Sequence, residues 1–313
     1  MSILATLDPS VRKMLDQAAD APPWNTVPIG EARESFLNGA VSAAGTSPEL
    51  ACTEDRTIPG LSGPIPARLY VPKDAPIPCP TMLYFHGGGF VMGSIDSHDA
   101  LCRHLCPVSG VQILSIGYRL APEHKFPAAL DDALTAARWL LNNFAVINAD
   151  PGRLAIGGDS AGANLATSVC RFLSPLETPA FRHQTLIYPM VDLRLTQPSI
   201  AMFGHGYRLT ADILRWFADN YVRKSDTVNN PRISPLLADD LSTLPPALVI
   251  TAGFDPLRDE GNAYAKALTQ AGVVCQHKCF TDMIHGFCNM PGSVPRAHDA
   301  YALVGEALKQ ALA

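Results

Sequence analysis

The residues most informative about chemistry are a serine and the glycines on either side of it. Gly158-Asp159-Ser160-Ala161-Gly162 has the form G-x-S-x-G, and the sequence contains no second copy. An apolar run at 154–156 precedes this segment, and a run typical of a helix follows at 163–169. A sharp turn between a strand and a helix lifts the serine hydroxyl into a cleft, and the glycines tolerate the strained backbone. The pattern predicts that Ser160 is a nucleophile.

A serine nucleophile needs a base, and the histidines downstream of it can supply one. They stand at positions 183, 205, 277, 285 and 298. His285 is the strongest candidate because it follows the last predicted strand, and an α/β sheet places its active site at the carboxyl ends of its strands. His277 lies within that strand, which favours a structural or surface role. The sequence therefore predicts His285 as the base.

The base in turn needs a carboxylate that orients it, and the expected chain order is serine, acid, histidine. Asp255 follows a predicted strand after a short turn, and it precedes His285. Asp259 and Glu260 stand at the start of a predicted helix. The helix dipole stabilises carboxylates there, which explains both residues without a catalytic role. Asp282 is near His285 in sequence, but whether its carboxylate can reach the imidazole depends on the conformation of the loop that contains both residues. Asp255 is therefore the predicted acid.

Main-chain donors for a developing oxyanion are predicted in a glycine-rich segment. His86-Gly87-Gly88-Gly89-Phe90 directly follows a predicted strand, and consecutive glycines let backbone N–H groups turn toward one point. The expected donors are the N–H groups of Gly88, Gly89 and Ala161. His86 precedes these glycines, and we expect it to anchor the loop by hydrogen bonds.

The elements that must position these residues alternate between strands and helices. Strands are predicted at 65–71, 81–85, 111–118, 153–156, 185–188, 247–251 and 273–280. Helices are predicted at 9–19, 31–37, 127–143, 163–173, 211–221, 258–271 and 297–312. Strands that alternate with helices of this length form mostly parallel sheets covered on both faces, so the expected fold class is α/β.

One connection in this pattern is too long for a plain crossover. It joins the strands at 185–188 and 247–251 and carries its own predicted helix. We expect it to form a lid above the sheet, with help from the N-terminal helices. The predicted organisation is N-terminal helices contributing to the cap at 1–50, a first core part at 51–190, a cap insertion at 191–243 and a second core part at 244–313.

Composition and charge argue against several function classes. The 313 residues carry a net charge of −5, which argues against nucleic acid as a partner. No window approaches 18 uncharged apolar residues, so no membrane span is expected. The segment 1–7 has no basic region before an apolar stretch, so we expect no secretory signal.

The cysteines favour reduced, structural thiols. They stand at positions 52, 79, 102, 106, 170, 275, 279 and 288. Several lie in apolar runs, and no C-x-x-C pair occurs. The pairs 102/106 and 275/279 lack a second His/Cys pair at zinc-binding spacing. We therefore expect no metal site and a cytoplasmic location.

With these segments in place, the chain resembles the hormone-sensitive-lipase-like branch (family IV) of the α/β-hydrolase carboxylesterases. The resemblance covers nearly the whole chain beyond residue 50. It rests on His86-Gly87-Gly88-Gly89, Tyr118-Arg119-Leu120-Ala121-Pro122-Glu123, Gly158-Asp159-Ser160-Ala161-Gly162, Asp255-Pro256-Leu257-Arg258-Asp259-Glu260-Gly261 and His285-Gly286-Phe287, in that order. It implies an α/β-hydrolase fold with a mostly parallel central sheet flanked by helices and a helical cap. It also implies ester hydrolysis without a cofactor or metal, and a homodimer formed through an edge strand.

The expected substrate is a small ester with a short to medium acyl chain, because the insertion is short and its apolar residues suggest a modest pocket. The candidate substrate contacts are Phe90, Phe203, Leu209 and Phe287. An amidase or arylacylamide hydrolase would use the same residues and remains an alternative. A non-catalytic small-ligand receptor on this fold is a second alternative, although such receptors typically lose the base.

Two further expectations concern residues beside the reacting groups. Arg119 and Glu123 are expected to form an ion pair that supports the glycine loop. Asp159 is expected to support its neighbours rather than to react.

Overall fold

In the computed structural model, which describes residues 6–173 and 181–313, the centre of the chain is an eight-stranded sheet. Its strands are β1 Cys52–Ile58, β2 Ile65–Val71, β3 Cys79–Phe85, β4 Gln112–Ile116, β5 Ala149–Asp159, β6 His183–Ile187, β7 Ala247–Phe254 and β8 Cys275–Ile284. They lie in the order β1-β2-β4-β3-β5-β6-β7-β8. The pairs β1–β2 and β2–β4 are antiparallel and the remaining pairs are parallel, so the mostly parallel sheet is confirmed.

Helices cover both faces of this sheet. They are α1 Pro9–Gln17, α2 Ile29–Ala43, α3 Asp99–Ser109, α4 Ala128–Asn142, α5 Ala161–Phe172, α6 Pro198–Phe203, α7 Ala211–Tyr221, α8 Arg258–Gln270 and α9 Ala297–Ala311. Strand β3 illustrates why both faces need cover. Leu83 and Phe85 belong to a core cluster with α4, α5 and α8, whereas Met82 and Tyr84 belong to a second cluster with α3 and α9. Strands buried on both faces are typical of parallel sheets.

Strand β1 and helix α3 are the longest elements that the sequence did not predict; the short helix α6 was not predicted either. Strand β1 was not predicted because its residues are mostly polar. Its first four residues are exposed. Antiparallel pairing with β2 holds β1 at the edge of the sheet. The pairing begins with Cys52 opposite Val71 and ends with Ile58 opposite Ile65. Helix α3 was not predicted either, and it contains a proline near its end. Both elements depend on neighbours that local periodicity does not reveal.

The long connection between β6 and β7 carries helices α6 and α7 and a short 3-10 helix at Pro235–Leu237. Thr210 caps α7 by accepting a hydrogen bond from the N–H of Ile213 at 3.2 Å. On α7, Ile213, Leu214 and Phe217 are buried and join the core cluster on the α4–α5 face of the sheet. The segment 191–243 is therefore packed on the sheet domain rather than extended away from it.

Among the residues that the structure describes, no helix has the length and apolar character needed to cross a membrane. The sequence-based expectation about a secretory signal falls largely on residues 1–5, which lie outside the described residues.

Leu83 offers a direct test of this core. It lies in the middle of β3 with no exposed surface, whereas Leu61 in the turn before β2 is fully exposed. Leu83→Ala is expected to lower the free energy of unfolding by about 2–5 kcal/mol, because it leaves a cavity between sheet and helices. Leu61→Ala is the matched control and should change it by less than about 0.5 kcal/mol. Equal urea midpoints for the two variants would contradict the assigned core.

Candidate active site

Ser160 stands on the sharp turn between β5 and α5. Its backbone has φ 54° and ψ −117°, a conformation that costs a residue with a side chain on the order of 1 kcal/mol. The N–H of Ser160 donates to the carbonyl of Ile187 at 2.9 Å, which ties the turn to β6. Gly158 and Gly162 flank it because a Cβ at either position would clash with the carbonyl of Phe85 on β3. The close approach of three backbone segments therefore requires glycine on both sides.

Ser160, His285 and Asp255 form a continuous chain of hydrogen bonds. The His285 Nε2 atom lies 3.0 Å from the Ser160 Oγ atom, and its Nδ1 atom lies 2.8 Å from the Asp255 Oδ2 atom. With the proton on Nδ1, the imidazole donates to the carboxylate and accepts from the serine hydroxyl. The structure thus brings together three residues that are up to 125 positions apart in sequence.

Burial and packing fix the orientation of this histidine. Asp255 follows β7, has no exposed surface, and accepts a second hydrogen bond from the N–H of Leu257 at 2.7 Å. The ring of Tyr188 packs against the His285 ring with 4.6 Å between centroids. Only 12% of the His285 side chain is exposed, so the imidazole is largely shielded from bulk water.

The glycine loop after β3 lies beside the serine turn. Gly88 has φ 116° and Gly89 has φ 63°, which are conformations that favour glycine. Both residues line the same cavity as Ser160. A Cβ on Gly89 would overlap the ring of Phe217, so the loop and α7 are in close contact. The N–H of Ala161 belongs to the first turn of α5, where the helix dipole favours negative charge.

Asp159 connects the serine turn to the glycine loop. Its Oδ1 atom accepts hydrogen bonds from the Tyr84 hydroxyl at 2.8 Å and from the N–H of Gly87 at 2.9 Å. His98 lies 3.2 Å from Oδ1, and the Asn289 amide donates to Oδ2 at 3.4 Å. Burial alone raises the pKa of Asp159, but the neighbouring His98 and the hydrogen bonds outweigh burial and hold the pKa below its usual value. The carboxylate thus stays ionised and fixes Gly87.

His86 supports the glycine loop from below. Its Nδ1 atom lies 2.8 Å from the carbonyl of Gly87, and its ring stacks on Tyr118 with 4.3 Å between centroids. The Tyr118 hydroxyl donates to the backbone carbonyl of His86 at 2.7 Å. Burial lowers the pKa of His86 to about 3, with a further contribution from His98, so the imidazole is neutral near neutral pH.

The predicted ion pair between Arg119 and Glu123 is wrong. Arg119 instead forms a salt bridge with Asp132 on α4 at 2.8 Å. Glu123 is paired with Arg33 on α2 at 2.6 Å, and Arg33 also donates to the carbonyl of Val91. Arg119 and Glu123 therefore form ion pairs with different partners, because their side chains lie beside different helices, α4 and α2 respectively.

The cavity above Ser160 contains one of the four predicted substrate contacts. Leu209 lines it, whereas Phe90, Phe203 and Phe287 are not among its lining residues. The other apolar lining residues are Trp24, Phe36, Ala40, Met92, Met190, Leu214, Phe217 and Met290. The walls are thus mostly apolar and come largely from α2, α7 and the loop after His285.

Each of the three remaining aromatic residues packs elsewhere. Phe90 is fully buried and stacks on Tyr221 with 3.9 Å between centroids. Phe287 is fully buried in the core cluster on the α3–α9 face. Phe203 packs edge-on against Phe254. A place in the long insertion or beside a predicted site residue therefore does not determine whether a side chain faces the cavity.

A family described as the α/β-hydrolase fold matches residues 82–289. The chain belongs to the α/β-hydrolase family. An ethyl acetate hydrolase of Pseudomonas putida is 40% identical over 294 residues, covering 93% of this chain and 92% of that protein. Together these matches confirm the resemblance to carboxylesterases of the hormone-sensitive-lipase-like branch.

Solved structures of esterases have the same architecture as this hydrolase. An esterase of Pyrobaculum calidifontis is 40% identical with a TM-score of 0.89, and the match covers 98% of this chain and 100% of that one. An ester hydrolase from the metagenome of Lake Arreo is 37% identical with a TM-score of 0.93, and the match covers 97% of this chain and 99% of that one. The α/β-hydrolase fold expected from the sequence is confirmed.

Several cavity residues of this hydrolase were missed by sequence reasoning. Trp24 and Phe36 come from the N-terminal segment, Arg208 from the loop before α7, and Asn289 and Met290 from the loop after His285. Only the position of Asn289 and Met290, soon after His285, offered a signal. Within residues 6–173 and 181–313, no cluster of three or more His, Cys, Asp or Glu side chains could hold a metal ion.

The buried, neutral His86 predicts a pH dependence of stability. Its pKa is about 3 in the folded hydrolase and near 6.5 when unfolded, so its contribution is complete above pH 6.5. As the pH falls below that value, only the unfolded state binds the proton and stability declines, by up to about 1.4 kcal/mol per pH unit. In urea titrations from pH 7 to 4, the wild type should lose stability more steeply than His86→Gln. Parallel curves would contradict this assignment.

Proposed function

We propose that this hydrolase cleaves carboxylic esters through a covalent acyl-enzyme on Ser160. The observation that carries the proposal is the hydrogen-bond chain from Asp255 through His285 to Ser160, with distances of 2.8 and 3.0 Å. Its relatives include an ethyl acetate hydrolase and several esterases, which supports carboxylic esters as the substrate class.

In the first half of the reaction, the Ser160 Oγ atom attacks the ester carbonyl carbon and His285 takes the hydroxyl proton. The carbonyl oxygen becomes an oxyanion, and we propose the N–H groups of Gly88, Gly89 and Ala161 as its donors. Collapse of this intermediate breaks the bond to the alcohol oxygen, which receives the proton from His285. Asp255 holds the imidazole in the required tautomer and stabilises its cation.

In the second half, water replaces the alcohol. His285 takes a proton from that water as its oxygen attacks the acyl carbon, and the new oxyanion occupies the same donors. The bond from the acyl carbon to the Ser160 oxygen then breaks, and the proton returns to the serine. The acid leaves and the enzyme regains its starting protonation state.

We propose that residues 1–50 and 191–243 act as a cap over a core formed by 51–190 and 244–313. Support comes from the cavity walls, since Trp24 and Phe36 precede the sheet in sequence and Leu209, Leu214 and Phe217 lie between β6 and β7. Such a cap excludes water from the reacting groups, which strengthens electrostatic stabilisation of the oxyanion.

We also propose that the pocket prefers short to medium acyl chains. The Phe217 ring stands directly against Gly89, and it is almost completely buried. An apolar wall this close to the proposed oxyanion donors limits the length of chain that can lie straight in the cavity. Leu209 contributes to the same apolar lining.

A homodimer formed through the outermost strand β8 is a further part of this proposal. Gln276, His277 and Lys278 on β8 are exposed, and the neighbouring Val274 is 75% exposed. An unpaired strand edge offers backbone donors and acceptors to a second copy.

Replacement of the nucleophile tests the mechanism. Ser160→Ala should lower kcat on a 4-nitrophenyl ester by about 10⁴–10⁶-fold without loss of folding, because the acyl-enzyme cannot form. Ser242→Ala, at an exposed serine outside the cavity, is the control and should retain full turnover. An organophosphate should label the wild type on the peptide that contains Ser160. Label on another residue, or unchanged turnover in Ser160→Ala, would refute the proposal.

Substitution of the cavity wall tests the acyl preference. On 4-nitrophenyl esters of increasing chain length, kcat/KM should be highest between acetyl and octanoyl esters and should fall for palmitoyl. Phe217→Leu should shift this profile toward longer chains because it widens the wall beside Gly89, while Phe203→Leu, outside the cavity, should not. A wild-type profile that rises steadily to long-chain emulsions would contradict the preference. A parallel set of 4-nitroanilides separates an esterase from an amidase.

A further inference from the structure

The cavity above Ser160 contains a cation that has no carboxylate partner among the described residues. Arg208 lines the cavity together with Ser160 and His285. One guanidinium nitrogen lies 2.8 Å from the Met290 sulfur, and the group stands over the Trp24 ring at 5.4 Å from its centroid. A thioether is a weak acceptor, so most of the N–H donors of Arg208 lack a strong acceptor.

Many other arginines in the described part of the chain have a carboxylate partner. Arg33, for example, pairs with Glu123, and Arg119 pairs with Asp132. Removing a charge from water is unfavourable unless an opposite charge compensates, which explains the frequency of such pairs. Burial accordingly lowers the pKa of Arg208, although a guanidinium remains protonated. Arg208 therefore stands out as an uncompensated charge inside the proposed reaction site.

The cavity itself supplies no anion that could serve Arg208. Asp159 is the one carboxylate among its described lining residues. Its oxygens are already engaged by Tyr84, the N–H of Gly87 and His98. The backbone of Arg208 has φ 68°, in the left-handed region that is unfavourable for a residue with a side chain. This strained position directs a positive charge into a pocket that is otherwise mostly apolar.

We propose that Arg208 binds a carboxylate carried by the substrate. The preferred substrate is then an ester with a second, free carboxylate, either a half-ester of a dicarboxylic acid or an acylated hydroxy acid. The planar guanidinium matches a carboxylate with two parallel hydrogen bonds. This inference rests on the proposed function, since it concerns the same cavity, and it makes Arg208 a residue that determines specificity rather than a catalytic residue.

Matched pairs of neutral and anionic esters test the proposal on the unmodified protein. The pair for the acyl side is 4-nitrophenyl pentanoate and mono-4-nitrophenyl glutarate. The pair for the alcohol side is butyl acetate and 4-acetoxybutanoate. At low ionic strength the anionic ester should have the higher kcat/KM in at least one pair, and added NaCl should reduce this preference because salt screens the charge. Preference for the neutral ester in both pairs would overturn the proposal.

Substitution of the arginine locates the effect. Arg208→Met should lower kcat/KM on the preferred anionic ester by about 10- to 100-fold more than on its neutral partner, the value of hydrogen bonds to a charged group. Arg208→Lys should restore part of the preference because it returns the charge without the planar geometry. The matched control is Arg232→Met, since Arg232 also stands 5.4 Å from an aromatic centroid, that of Phe126, but outside the cavity.

The outcomes separate this inference from the proposed function. Equal losses on the neutral and anionic esters in Arg208→Met would mean that Arg208 only holds Trp24 and Met290 in place, and the inference would fail. Hydrolysis of neutral esters with labelling of Ser160 would then still stand. If the wild type hydrolyses neither member of either pair and Ser160 is not labelled, the proposed function fails instead. If Arg208→Met does not fold, the wild type decides whether the inference holds. The deciding measurements are its kcat/KM on anionic against neutral esters and the effect of NaCl on that ratio.

Discussion

The site depends on one buried interaction, the hydrogen bond from the backbone of Gly87 to the carboxylate of Asp159. Asp159 immediately precedes Ser160, and Gly87 immediately precedes the glycines at the cavity. This bond therefore fixes the distance between the proposed nucleophile and the proposed oxyanion donors. Burial of the carboxylate opposes its ionisation, and His98 and Tyr84 overcome that opposition. Loss of this charge would release both segments together.

The parallel sheet explains why such different parts of the chain meet there. Strands β5 and β7 and the last strand β8 end on the same edge, and the residues Ser160, Asp255 and His285 follow those ends. Each strand is buried on both faces or paired along its length, so its end is a rigid platform. The reacting groups thus need only short loops to reach one another, and short loops hold distances more closely than long ones.

The cavity has a different origin from the reacting groups. Its walls come from α2, the 3-10 helix at Trp24–Thr26 and the segment around α7, which are distant from the motifs in sequence. The proposed reacting groups follow the ends of strands, whereas these walls come from segments outside the sheet. The same walls place the charge of Arg208 within a lining that is otherwise mostly apolar. The shape and charge of the pocket therefore depend on segments outside the sheet more than on the sheet itself.

Local sequence was enough to predict the alternation of strands and helices, the serine turn and the glycine loop. These features follow from apolar periodicity and from glycines at close approaches, which are properties of neighbouring residues. The structure then decided what neighbours in sequence cannot: that Phe90 and Phe287 enter the core, that Arg119 pairs with Asp132, and that polar β1 joins the sheet. The orientation of a side chain depends on packing between distant segments, and only the folded chain brings those segments together.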